Sequence, residues 1–295
     1  MSMLADARRL LTAAFKGWWA DNAMSLGAAI AFYTVFSLAP MLLAVIAIAG
    51  LVFGQEAAQG AMVTQIGGLV GNGGAEAIQT MIASASNFGS GVLGTVVGVV
   101  TFLFLATGAI VELQNDLNIV WKVKPSERSG VMAFIRTRLL SLGLIVGFGF
   151  LLLVSLAADA ALSAVGHYLS AAFSGAATLL HILNFVFSLA VTVLLFAAIF
   201  KILPDVDLGW RDVWIGAVIT ALLFTLGKFA IGLYLGRSNL ASSFGAAASI
   251  ITILLWIYYS SLIVLFGAEF TKAYADEHGR RGETGRKDSR ATRPT

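Results

Sequence analysis

Residues 27–53 read GAAIAFYTVFSLAPMLLAVIAIAGLVF, an uncharged run of 27 positions. A helix needs only about 20 apolar residues to cross the hydrocarbon core of a bilayer. This stretch therefore decides the fold class, because it reads as a membrane span. Working outward from it, comparable runs occupy residues 92–111, 139–158, 179–200, 213–236 and 244–268, with Lys228 embedded in the fifth. The uncharged stretch 160–200 is too long for one span, so its Ser- and Gly-bearing first part is assigned to a short surface helix. The expectation is an all-α polytopic membrane protein with six transmembrane helices and short amphipathic interfacial helices. Residues 1–275 form its single domain, and residues 276–295 form a disordered basic cytoplasmic tail.

Composition points the same way. Charged residues make up 12% of the chain against roughly 25% in a soluble domain, and 58% of it is apolar, too little polar surface for a water-soluble fold. With no Cys and three His (His167, His181, His278), thiolate chemistry, disulfides and a His-rich metal centre are excluded, and neither a metal nor a cofactor is expected. Of the 19 Lys and Arg, 17 lie before the first span, between the second and third, between the fourth and fifth, or after the sixth. Only Arg237 lies on the opposite side. The positive-inside rule places both termini in the cytoplasm. The N-terminus lacks a contiguous apolar signal region, so the first span is expected to serve as its own signal.

Local patterns fill in the connections. Within residues 3–19, Leu4, Leu11, Phe15 and Trp18 share one helical face and Arg9, Thr12 and Lys16 another, which predicts an amphipathic helix on the inner surface. Asp21 and Asn22 are expected to cap the helix that follows. Stripes at Met62, Ile66, Leu69 and Val70, at Ile78, Met81, Ile82 and Ala85, and at Ala161, Val165, Tyr168 and Ala172 predict short helices skimming the outer leaflet. Gly pairs at 50/54, 94/98, 143/147 and 232/236 suit close helix packing, with homo-oligomer formation as the alternative use. Pro40 should kink the first span.

Candidate chemistry gathers at the inner ends. Glu112-Leu-Gln-Asn-Asp-Leu-Asn118 closes the second span, with Glu112 and Asp116 on one face and Asn115 beside them. Such a density of polar groups near membrane depth is a functional hypothesis, set against an ordinary solvated helix end. In the fourth connection, Lys201 and Arg211 lie near Asp205, Asp207 and Asp212, which loop pairing and capping also explain. These two motifs are expected to be neighbours. Lys228 either faces the bundle interior as an anion-binding charge or snorkels to the outer headgroups. Glu269, just past the sixth span, is a further pathway candidate, pairing with Lys272 or with the inner mouth.

Several functions lack their motifs. There is no G-x-x-x-x-G-K-[ST] loop to power transport and no G-x-S-x-G nucleophile elbow. The segments AFYTVFSLAP (31–40), ELQNDLNIVW (112–121), LPDVDLGWRDVWIGA (203–217), LGKFAIGLYLG (226–236) and LLWIYYSSLIVLFGAEFTKAYA (254–275) resemble the YihY/BrkB family of bacterial inner-membrane proteins. The resemblance covers most of residues 15–275 in order. It implies six spans with both termini inside, in an inner-membrane protein with a transporter-like role. Some members carry an old ribonuclease label, and others are linked to serum resistance or to export of lipid precursors.

The first functional expectation is thus a non-ATP-driven transporter or flippase-like exporter of a lipid or amphiphile, not an enzyme. Its partners are membrane lipids, with anionic lipid at the cytoplasmic surface and no nucleic acid. A membrane-bound ribonuclease and a structural or assembly protein are the alternatives.

Overall fold

The structure, a computed structural model, describes residues 3–54, 92–123, 135–151, 176–237 and 247–291, with isolated helical residues between 56 and 80 and at 154. Among these residues there are helices and no strands. In chain order they are α1 (Met3–Ala20), α2 (Ala23–Phe53), α3 (Val92–Val120), α4 (residues 135–151), α5 (Ala176–Ile202), α6 (Trp210–Arg237) and α7 (Ala247–Ala291). Four of the described helices are long and apolar enough to cross a membrane, over Ala23–Leu43, Ile182–Ile202, Trp210–Ile231 and Ile250–Glu277. The second expected span (92–111) lies within α3, and α4 covers residues 139–151 of the third (139–158); neither helix is among these four.

The bundle is organised around α7, which packs on α1, α2, α3 and α6, while α2 also packs on α3 and α5 on α6. Large apolar side chains face outward, among them Phe36, Phe150, Leu226 and Phe229. In water that surface would be an aggregation hazard, whereas against lipid tails it is the solvent-matched one. Since lipid removes the hydrophobic drive for helices to meet, close approach must supply dispersion contacts instead. At the α6–α7 crossing it does: a Cβ added at Gly216 would run into Thr271, and one added at Gly267 into Thr220. Each threonine donates to the carbonyl four residues back in its own helix, at 2.7 Å, so no hydroxyl is orphaned at the contact. Edge-on rings continue the packing, Phe196 to Phe224 at 5.5 Å and Phe224 to Trp256 at 5.9 Å, joining α5, α6 and α7.

Several expectations are corrected. Helix α1 is not held only by a membrane surface but lies along the end of α7: Trp18 Nε1 donates to the Leu262 carbonyl at 3.3 Å, Gly17 sits beneath Glu269, and Arg9 lies 3.5 Å from Glu277. Asn22 forms no side-chain cap. It adopts the left-handed conformation (φ 53°) that ends α1, a role Asn tolerates better than most residues. Pro40 lies inside α2, where the sequence places it, and the helix extends to Phe53. The last helix runs to Ala291, where a disordered tail from residue 276 was expected; extending a helix already nucleated costs far less than starting one. Met62 and Ile78 are buried in the hydrophobic core, so at these positions the connection between α2 and α3 folds onto the bundle. The remaining stripe residues of the outer connections lie outside the described residues.

Candidate functional site

The C-terminal end of α3 runs past the expected span, and the chain reverses there on Lys122. The Val123 amide donates to the Asn118 carbonyl at 2.9 Å and the Lys122 amide to that of Ile119 at 3.0 Å, with Lys122 left-handed at φ 53°. This is the arrangement a glycine usually takes at a helix C-terminus, and a non-glycine residue adopts it at a cost of roughly 1 kcal/mol. Its ammonium is directed to the Asp21 carboxylate.

From this end the Glu112–Asn118 motif reaches the α5–α6 loop. Asn118 Nδ2 donates to Asp205 Oδ2 at 2.9 Å, Asn118 Oδ1 accepts from the Asp205 amide at 2.8 Å, and Gln114 Nε2 lies 3.4 Å from the same carboxylate. The two motifs are neighbours, but Gln114 and Asn118 make the contact. Asn115 is exposed and Glu112 half-buried. Asp116 is buried, with one carboxylate oxygen lacking any donor; burial first, and then the nearby Glu112, push its carboxyl up to about 7.

The loop itself is held by Lys201, whose ammonium donates to the Leu208 carbonyl at 2.8 Å and lies 3.8 Å from Asp207 and 5.8 Å from the Trp210 ring centre. Pro204 is buried just after α5 ends, as its missing N–H requires. Asp212 is in the first turn of α6, where its charge favours the helix N-terminus, while the Gly209 carbonyl accepts from the Asp212 and Val213 amides at 3.1 Å each. Arg211 is exposed. So is Lys228, with Phe229 and Ala230 beside it, an exposure that agrees with the snorkelling alternative rather than with a place in the bundle interior. Glu269 is buried beside Lys272, at 3.9 Å.

A separate feature lies between α4 and the end of α5. Here a groove of about 780 Å³, open to the surface, is lined by Leu139, Leu140, Gly143, Gly147, Ala198 and Ile202, with Arg136 at its polar end. The 143/147 glycines were expected to mark a helix contact, yet a Cβ added at either would meet nothing within 4 Å. They hollow the groove rather than seat a neighbour. The tight glycines are instead Gly17, Gly27, Gly149, Gly216, Gly227 and Gly267. The Gly216/Thr220 and Gly267/Thr271 spacing was the signal for two of these, once threonine is counted as small. Sequence reasoning also passed over Arg138, which donates to Thr107 and to the Phe104 carbonyl and lies over the Phe104 ring at 4.4 Å, tying α4 to α3. Among the described residues no group of three or more His, Cys, Asp or Glu side chains is placed to hold a metal ion.

Comparison with known proteins supplies the family. Residues 14–292 match the virulence factor BrkB family. A UPF0761 membrane protein of Pseudomonas aeruginosa strain LESB58 is 30% identical over 250 residues, which are 84% of this chain and 58% of that protein. Similar proteins of the same name occur in Tolumonas auensis, 32% identical over 65% of this chain and 62% of the relative, and in Legionella pneumophila strain Philadelphia 1, 32% identical over 63% and 42%. The chain thus spans about half the length of several of the relatives it matches, and their names assign no enzymatic activity. No solved structure matches it.

Proposed function

This chain belongs to the BrkB virulence factor family of membrane proteins, and from that premise we propose that it moves a lipid or similar amphiphile between leaflets without a nucleotide site of its own. The observation that carries the reading is the groove beside α4. Its volume falls within the roughly 300–1,000 Å³ of small-molecule sites, its wall is apolar, and a permanent cation stands at one end. An acyl chain fits the apolar wall and an anionic headgroup the cation, since guanidinium binds phosphate oxygens in pairs. Six spans and cytoplasmic termini in a bacterial inner membrane complete the proposal, resting on the distribution of Lys and Arg. Helix α1 suits anionic lipid at the same surface: Leu11, Phe15 and Trp19 are exposed along one stripe, flanked by a groove lined by Arg8, Arg9, Thr12 and Lys16.

The test is lipid redistribution in vesicles reconstituted with the full chain. Gly143→Leu or Gly147→Leu fills the groove where the fold leaves open space, so folding is expected to survive while redistribution falls by about tenfold, equivalent to about 1.4 kcal/mol of barrier. Arg136→Ala should reduce movement of anionic lipid more than of zwitterionic lipid. Unchanged redistribution in well-folded Gly143→Leu protein would remove the groove from the pathway.

A further inference from the structure

Where α1, the turn into α2, the end of α3 and α7 converge, two acids are buried together. The Asp21 and Glu269 side chains are 7% and 4% exposed, and Asp21 follows one turn after Gly17, the residue against which the Glu269 carboxylate is packed. Asp21 gives Oδ1 to Lys122, and its Oδ2 has no donor. Glu269 Oε2 stands 3.9 Å from the Lys272 ammonium, beyond a hydrogen bond, and its Oε1 has no donor either.

The charged groups that bear on Glu269 are Asp21 from the turn, Lys122 from the end of α3 and Lys272 from α7 itself. Neither lysine serves the two bare oxygens. Lys272 spends its hydrogen bond on the Val120 carbonyl at 2.7 Å, and Lys122 is taken by the other Asp21 oxygen. Helix α1 contributes no donor, because the residue under Glu269 is Gly17, and a Cβ there would collide with the carboxylate. Two ionised carboxylates have only acceptors to offer each other, so this contact becomes a hydrogen bond when one of them carries a proton.

We propose that Asp21 and Glu269 share one proton, and that this proton is the bound ligand of a junction site fastening α1 and its turn to α7. With the proton in place, one carboxyl O–H donates to the opposite carboxylate and the turn is held against the last helix. Once it leaves to solvent, two negative charges face each other at the same spot and the junction loosens. The site does not depend on the lipid-handling reading, and its test uses no transport.

Infrared spectroscopy of the purified full chain reads it directly, because a protonated carboxyl has a C=O stretch that a carboxylate lacks. At neutral pH the chain should show a protonated-carboxyl band that is lost in Glu269→Gln and equally lost in Asp21→Asn, since each amide supplies the missing donor without a proton. Asp116→Asn should leave that band in place while removing its own. Retention of the full signal in both Glu269→Gln and Asp21→Asn would show both acids ionised and overturn the proposal. A check without substitutions covers misfolding of the variants: an apolar carbodiimide, which requires a protonated carboxyl, should label Glu269 in the unaltered chain at about pH 6 and lose that labelling by about pH 9. Labelling of Asp116 alone at about pH 6 would equally overturn it.

Discussion

Asp116 is a charge-bearing group that the fold wants neutral. Its carboxyl is raised to about 7 by burial and by Glu112, whereas in the unfolded chain it ionises near 3.8. Between those values the folded state holds a proton that the unfolded state has released, so stability falls as pH rises from about 4 to about 7 and is level above. Asp116→Asn removes the charge and keeps the shape. The variant should melt at a higher temperature than the parent at pH 8, with a gain of up to about 4 kcal/mol, and close to the parent at pH 4. A parent whose melting temperature does not decline across that window would contradict the burial argument. The acid itself was legible in ELQNDLN. Which of the motif's polar residues would turn inward was not, because Gln114 and Asn118 face the α5–α6 loop only once Asp205 is brought to them from 91 and 87 positions away in the chain.

Helix contacts turn on where side chains are absent. At the α6–α7 crossing, the Gly216/Thr271 and Gly267/Thr220 contacts leave no room for a methyl group, so Gly216→Val should force the helices apart and destabilise the protein by roughly 1–3 kcal/mol. Pairing it with Thr271→Ala should recover part of that loss. A double-mutant cycle in thermal melts measures the coupling, and strict additivity would mean the two residues do not share the space. Gly143→Ala predicts the reverse sign: with nothing within 4 Å of its Cβ, the substitution should stabilise α4 by about 0.5–1 kcal/mol through helix propensity alone. Both kinds of glycine look alike in sequence, four residues from another small residue. What separates them is whether a neighbouring helix arrives, which spacing within one helix does not encode.

The bundle as a whole has one strongly basic end. Its orientation is open to cysteine labelling, since the native chain has no Cys. A lone Cys replacing Asn72 should react with an impermeant thiol reagent in intact cells, and one replacing Ser126 should react only after permeabilisation. The opposite pattern would invert the proposed topology. The same basic end is where α1, α3, α5, α6 and α7 present the polar contacts described above, so one surface carries both the positive charge and the ordered hydrogen-bond network.

Run length and charge placement along the chain were enough for an all-helical membrane protein and for its basic side. A bilayer imposes a one-dimensional test: about 20 apolar residues cross it, and Lys and Arg stay on one side. The three-dimensional arrangement decided the rest. Lys122 meets Asp21 across 101 positions and Trp18 meets Leu262 across 244, pairings that follow from which helices pack together and at what height. It also turned Lys228 outward and left the 143/147 glycines facing a groove. No local pattern carries such information, because a residue's role on a transmembrane helix depends on its angle about the axis relative to neighbours supplied by distant sequence.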